Sequence, residues 1–136
     1  MLPHSHFAIA GIFIVGVSFV FYPENTFKDL IFWILVGGTV SAAIDLDIIL
    51  ILFIKSRKDE TLKPYLNVVA IYKNFKEFMD FITEKGILRI GMKTHLTISF
   101  ALLLVSHLFF KEFFIPVGVG IISHLLSDFQ YISRLR

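Results

Sequence analysis

The sequence predicts an all-α, polytopic membrane protein: four transmembrane helices in two hairpins, plus one cytoplasmic amphipathic helix. Three observations predict it. The 136 residues are 56% hydrophobic, with 16 Phe and a mean hydropathy of +0.77, too apolar for an ordinary soluble domain of this size. Four apolar stretches approach or exceed the roughly 20 residues that cross a bilayer core as helix. The charged residues gather between the second and third of these stretches. The length allows one membrane domain, residues 1–136, and no second one.

The first span runs over about 7–22 and starts a few residues earlier if it is to cross fully; Pro23 stops it. The short lead Met-Leu-Pro-His-Ser-His carries no basic region and no clear cleavage signal, so a signal peptide is not expected. Pro23-Glu24-Asn25-Thr26 forms a turn in which Thr26 or Asn25 caps the next helix. The second span, about 29–54, includes Gly37, Gly38, Ser41, Ala42 and Ala43, small residues that let helices approach closely and permit self-association. Residues 55–93 form a cytoplasmic loop. Within it Tyr65, Val69, Tyr72, Phe75, Met79 and Ile82 recur at helical spacing among charged residues. This predicts an amphipathic helix over about 65–85, capped by Gly86, lying on the membrane surface or folded over a site as a lid. The third span, about 96–110, turns at Lys111-Glu112 into the fourth, about 113–132.

Polar residues inside these spans carry the functional signal. The fourth span contains His124 and Asp128, one helical turn apart and so on one face. An ionisable group at the centre of such a helix costs roughly 2.5–3.5 kcal/mol on insertion scales. The pair is either a shared metal site or a hydrogen-bonded link between two helices. The second span carries Asp45 and Asp47, whose spacing of two forbids a shared face on a regular helix. Either the helix is distorted there, or one Asp is a ligand and the other supports it. Cysteine is absent. That excludes disulfides and thiolate sites and leaves His and carboxylates, a donor set suited to zinc, manganese or iron.

Depth tests whether these residues meet. At 1.5 Å per residue, His6 and Asp45 lie roughly 28 and 30 Å from the first hairpin turn, and His95 and Asp128 roughly 24 and 25 Å from the second. His124 is one turn shallower. All five reach the same end of the bundle. His107 lies about 6 Å from the second turn, near the opposite face, and reads as structural. His4 is at the correct end but close to the terminus. Of the 13 Lys and Arg, only Lys28 and Lys111 are at the far end. The positive-inside rule therefore places the site, both termini and the central loop on the cytoplasmic side of the cell membrane. The basic residues also favour anionic lipid headgroups or phosphate. Arg89 and Lys93, just before His95, are the candidates for holding a phosphate oxygen.

The order Ser5-His6, Ala43-Ile44-Asp45-Leu46-Asp47, Lys93-Thr94-His95 and Ser123-His124 followed by Asp128 resembles the membrane-bound metal-dependent hydrolases. That family is also described as LexA-binding, inner-membrane-associated hydrolases. It is similar to zinc-dependent phospholipase C and the single-strand-specific zinc nucleases, which hold zinc clusters with His and Asp on helices and cleave phosphoesters. Ile44 replaces the family's proline, Leu96 its serine, and Leu88-Arg89-Ile90 offers no counterpart of its additional His.

The resemblance implies one or two zinc-like ions held by His6, Asp45, His95, His124 and Asp128. Asp47 becomes a third carboxylate ligand, a support for a ligating His, or a general base. The expected activity is hydrolysis of a lipid-linked or membrane-associated phosphate at the inner leaflet. Aromatic–basic interleaving is explained by amphipathicity, so nucleic acid is not an expected partner. The rival reading is a metal-ion or proton carrier, which requires a polar path to the far side. A non-catalytic regulatory protein with a degenerate site is a third.

Overall fold

Apolar surface outweighs apolar interior in this chain. The computed structural model describes residues 3–132, with all their side chains except those of residues 68, 70 and 130–132; Arg134 and Arg136 lie outside the described residues. Four helical segments are long and apolar enough to cross a membrane: Pro3–Phe21, Phe27–Ser56, Ile87–Phe109 and Lys111–Phe129. Large side chains along them face outward, Phe19 at 86%, Phe100 at 70% and Phe129 at 67% exposure. Surface of this kind suits hydrocarbon and not water. The described residues form helices and no strand, and their four long apolar helices are consistent with a multi-pass membrane protein.

Helix α1 (Pro3–Phe21) buries His6, Ala10, Ile14 and Ser18, one stripe at spacing four. Thr26 then caps α2 (Phe27–Ala43). Its hydroxyl accepts from the Asp29 amide at 3.3 Å, and the Asp29 carboxylate accepts from the Thr26 amide at 3.0 Å, a reciprocal capping box. Helices α1, α2 and α7 (Phe114–Ile132) pack against one another. Small residues set the approach. A Cβ on Gly120 would lie 2.3 Å from the Gly37 carbonyl oxygen, and one on Gly38 would lie 2.7 Å from the Phe7 ring. The small face of α2 is thus filled by α1 and α7 of the same chain, so it gives no support to self-association.

The second span is not one regular helix. It breaks at Ile44–Asp45 and resumes as α3 (Leu46–Ser56). Around the break the Asp47 and Ile48 amides bond to the carbonyls three residues earlier, at 3.3 and 3.2 Å. This tightened turn changes the rotation between neighbouring residues and lets Asp45 and Asp47 point to different partners.

Residues 57–86 form a cap over α3 and α6 (Ile87–Phe109). The expected single amphipathic helix is divided into a 3-10 turn (Glu60–Leu66), α4 (Val68–Lys73) and α5 (Phe75–Glu84). Asn67 and Asn74 occupy the two breaks. Asn67 is extended, and its side-chain oxygen accepts from the Val69 amide at 3.0 Å, local bonding that competes with helix continuation. The cap buries Leu62, Ile71, Phe78 and Ile82 against Leu52, Ile87 and Leu88. Lys85 and Asp59 close its base at 2.9 Å. That bond, with those from Thr61, holds the Asp59 carboxyl down at about 2. Gly86, at φ +67°, ends α5 and starts α6 nine residues before the expected third span. A short 3-10 turn, Lys111–Phe113, links α6 to α7.

Candidate metal centre

Five side chains from four segments converge at one end of the bundle. His6 comes from α1, Asp45 from the α2–α3 break, His95 from α6, and His124 and Asp128 from α7. The three imidazoles are 0–1% exposed and Asp128 is 6% exposed. Nε2 of His6 lies 3.3 Å from Oδ2 of Asp45 and 3.4 Å from Oδ1 of Asp128. Nε2 of His124 lies 3.4 Å from Oδ2 of Asp128 and 3.7 Å from Oδ1 of Asp45. Nε2 of His95 lies 3.5 Å from Oδ1 of Asp45. One ligand atom from each of His6, Asp45, His124 and Asp128 falls within 4.8 Å of the others, a group able to hold a metal ion.

The outer nitrogens fix what the inner ones present. Nδ1 of His124 is 2.7 Å from the Ser41 carbonyl, which only accepts, so this nitrogen carries the proton. Ser127 donates its hydroxyl proton to the His124 carbonyl at 2.8 Å. It therefore accepts from Nδ1 of His6, also at 2.8 Å. Nδ1 of His95 donates to Oδ2 of Asp47 at 2.8 Å. In its neutral form each ring turns the lone pair of Nε2 inward, toward carboxylates that themselves only accept.

Acceptor facing acceptor in a buried site requires positive charge between them. Protons are one source, but 3.3–3.7 Å is longer than a good N–H···O bond of about 2.7–3.2 Å. A metal ion fits better: ligands about 2.0–2.2 Å from zinc are about 3.3–3.6 Å apart around a tetrahedron. Nε2 of His6, Nε2 of His124 and Oδ2 of Asp45 are buried without a hydrogen-bond partner, as ligand atoms would be. Three imidazoles each tied at Nδ1 to a carboxylate, hydroxyl or carbonyl are also the usual arrangement behind metal-binding histidines.

Asp47 stands behind His95, which is itself outside that four-residue group and faces it through Asp45. Its Oδ2 also accepts from the Thr94 hydroxyl. Of its three expected roles, this position favours support of a ligating His. Arg89 and Lys93 are exposed on α6. The inner stripe of that helix is Leu88, Gly91, His95 and Ser99, and Arg89 and Lys93 lie beside it without lining the cavity at the centre. They are not brought to the cluster. The reason is angular: depth along a helix says nothing about which face a residue occupies. His107 is at the far end, exposed, with its ring 5.3 Å from that of Phe114. His4 is outside the centre, 3.5 Å from the Tyr72 hydroxyl.

Sequence reasoning missed Ser127, Ser41 and the role of Thr94. Ser127 and Thr94 were visible as hydroxyls adjoining Asp128 and His95. The Ser41 contribution is a backbone carbonyl, for which no side-chain signal exists.

A cavity opens over the centre, with Asp45, His95 and Asp128 on its floor and side chains from α3, α4, α5 and α6 as its walls. No protein-family model, no curated protein and no solved structure matches this chain.

Proposed function

We propose that this chain is a membrane-embedded, metal-dependent hydrolase that cleaves a lipid-linked or membrane-associated phosphoester. The observation that carries the metal reading is the set of inward Nε2 lone pairs facing Asp45 and Asp128 at 3.3–3.7 Å. His6, His95 and His124 would hold the metal through Nε2, and Asp45 and Asp128 through their oxygens. Zinc suits this donor set. A divalent ion there supplies Lewis acidity, polarising an ester oxygen and making water a better nucleophile near neutral pH. Asp47 keeps the His95 ring in its Nδ1–H form and fixes its orientation.

Charge favours two ions for a phosphoester. Asp45, Asp128 and the adjoining Asp47 together carry −3, which one divalent ion does not neutralise, and no Lys or Arg among the described residues lines the cavity. A second ion would leave +1 to receive an anionic phosphate. Asp45 and Asp128, which direct different oxygens at different imidazoles, would hold the ions together with those rings. The motif resemblance to membrane-bound metal-dependent hydrolases points the same way.

The carrier reading is weaker. It needs ionisable groups leading away from the centre, and the described interior beyond it offers the hydroxyls of Ser18, Ser99 and Ser106 among Ile14, Val117 and Ile121, with no ionisable group. The concentration of basic residues at the site end supports a cytoplasmic orientation of the site and both termini.

The test is turnover in lipid nanodiscs loaded with zinc, using a phosphatidic acid and a polyprenyl phosphate. The reading expects phosphate release from at least one substrate, abolished by Asp45→Ala and by chelation, and restored by added zinc. Metal-loaded protein that releases phosphate from neither substrate would sink it.

A further inference from the structure

We propose that the cavity over the centre is a tail pocket, which takes the hydrocarbon chain of a membrane lipid whose polar group rests on the His/Asp floor. The proposal rests on the hydrolase reading only for what that polar group is.

The polarity of the cavity changes in one step. Its floor is ionisable, and its walls include Ile49 from α3, Phe75 and Met79 from the cap, and Met92 from α6. Among the described residues, the wall side chains contribute no hydrogen-bonding oxygen or nitrogen apart from Tyr72. A sugar or nucleotide would bring hydroxyls and ring nitrogens that these walls leave unpaired, at a desolvation cost. A hydrocarbon chain brings none. The two methionines suit a flexible chain, because the unbranched thioether repacks readily. The ligand that matches is therefore an amphiphile, polar at one end only.

The surroundings say where such a chain comes from. Helix α3 turns Ile49 to the cavity while Leu46, Leu50 and Phe53 point outward from the same helix, at 49–58% exposure. One helix thus separates the pocket from the surface that a bilayer would cover. At the rim, the Tyr72 ring stacks on His4 with centroids 6.0 Å apart, joining the cap to the start of α1. The cap completes the wall through Ile71, Phe75 and Met79. A chain lying there is covered by protein and no longer lies in the bulk lipid.

Photolabelling tests this directly, with or without turnover. Zinc-loaded protein in nanodiscs is exposed to dodecyl phosphate bearing a terminal diazirine, and labelled residues are found by mass spectrometry. The expected labels fall on Ile49, Phe75, Met79 or Met92, and unlabelled dodecyl phosphate competes them away. Met79→Trp fills the pocket and should reduce these labels ~fourfold or more, the equivalent of losing one buried methylene. It should leave labelling of Leu50 and Phe53 unchanged, and comparison with the parent cancels partitioning into the bilayer. Should Met79→Trp fail to fold, Ile49→Phe makes the same test with a smaller added volume. Labels confined to outward residues, or pocket labels indifferent to both competitor and filling, would overturn the proposal. Pocket labelling in protein that cleaves no phosphoester supports the pocket and counts against the hydrolase reading alone.

Discussion

His95 and His107 lie on one helix, twelve residues apart, and meet opposite surroundings. His95 is 1% exposed, with its outer nitrogen on Asp47 and its inner one facing Asp45. His107 is exposed beside the Phe114 ring. The same side chain on the same helix is built into a network at one end and left at the surface at the other. The contrast extends to the whole bundle. At the site end the interior holds three imidazoles and, with the half-buried Asp45, three carboxylates; toward the far end the described interior holds Ile14, Pro116 and Val117 with the uncharged Ser18 and Ser106. A protein that only needed polar links between helices had no reason to gather six ionisable groups at one level, where each is expensive. The asymmetry singles out that end as the one with a group able to hold a metal ion.

The most severe way to break the contrast is to remove a ligand at the site end. Asp45→Ala deletes the carboxylate that faces all three imidazoles, and stoichiometric zinc binding should disappear in equilibrium dialysis. His107→Ala should bind as the parent does. Packing comes next. Gly120→Val places side-chain atoms against the Gly37 backbone and should destabilise by about 1–3 kcal/mol or more, read as a lower melting temperature in detergent. Gly16→Ala, with nothing within 4 Å of the new Cβ, should melt as the parent does.

A finer change separates ligand from support. Asp47→Asn leaves the cluster atoms in place but weakens the partner of His95. Zinc affinity should fall about 10–100-fold while helical circular dichroism is unchanged. The smallest effect is at the cap. Asp59 is held at about 2, below the ordinary carboxylate value, chiefly by its bond from Lys85. A depressed folded value stabilises the cap above the unfolded pKa and is lost as pH falls through the folded one. Amide protection factors around Thr61 and Lys85, taken against the intrinsic exchange rate at each pH, should therefore be flat near neutral pH and fall below about 4. Asp59→Asn should remove that dependence.

Depth was legible in the sequence and azimuth was not. The rise per residue of a helix is nearly fixed, so counting from the two turns was enough to bring His6, Asp45, His95, His124 and Asp128 to one level. Arg89 and Lys93 were candidates only because they directly precede His95 in the chain. Their rotation about α6 takes them off its buried stripe, and a third span begun at residue 96 left that rotation undefined. The break at Ile44–Asp45 has no proline or glycine to announce it. Only the two carboxylates at spacing two hinted that the helix is distorted. The cap is cut at Asn67, whose side chain bonds the Val69 amide in competition with helix, and again at Asn74, although the apolar period runs through both. The Gly37–Gly38 pair marked a close approach without saying whether the partner was this chain or another copy.

The most direct test of the central claim is metal analysis of the purified protein in lipid, beside a His124→Ala, Asp128→Ala variant. The parent, kept metal-replete, is expected to retain one or two equivalents of zinc or a similar divalent ion. The variant should retain none while keeping its helical content. A folded parent that retains no metal under those conditions would contradict the account.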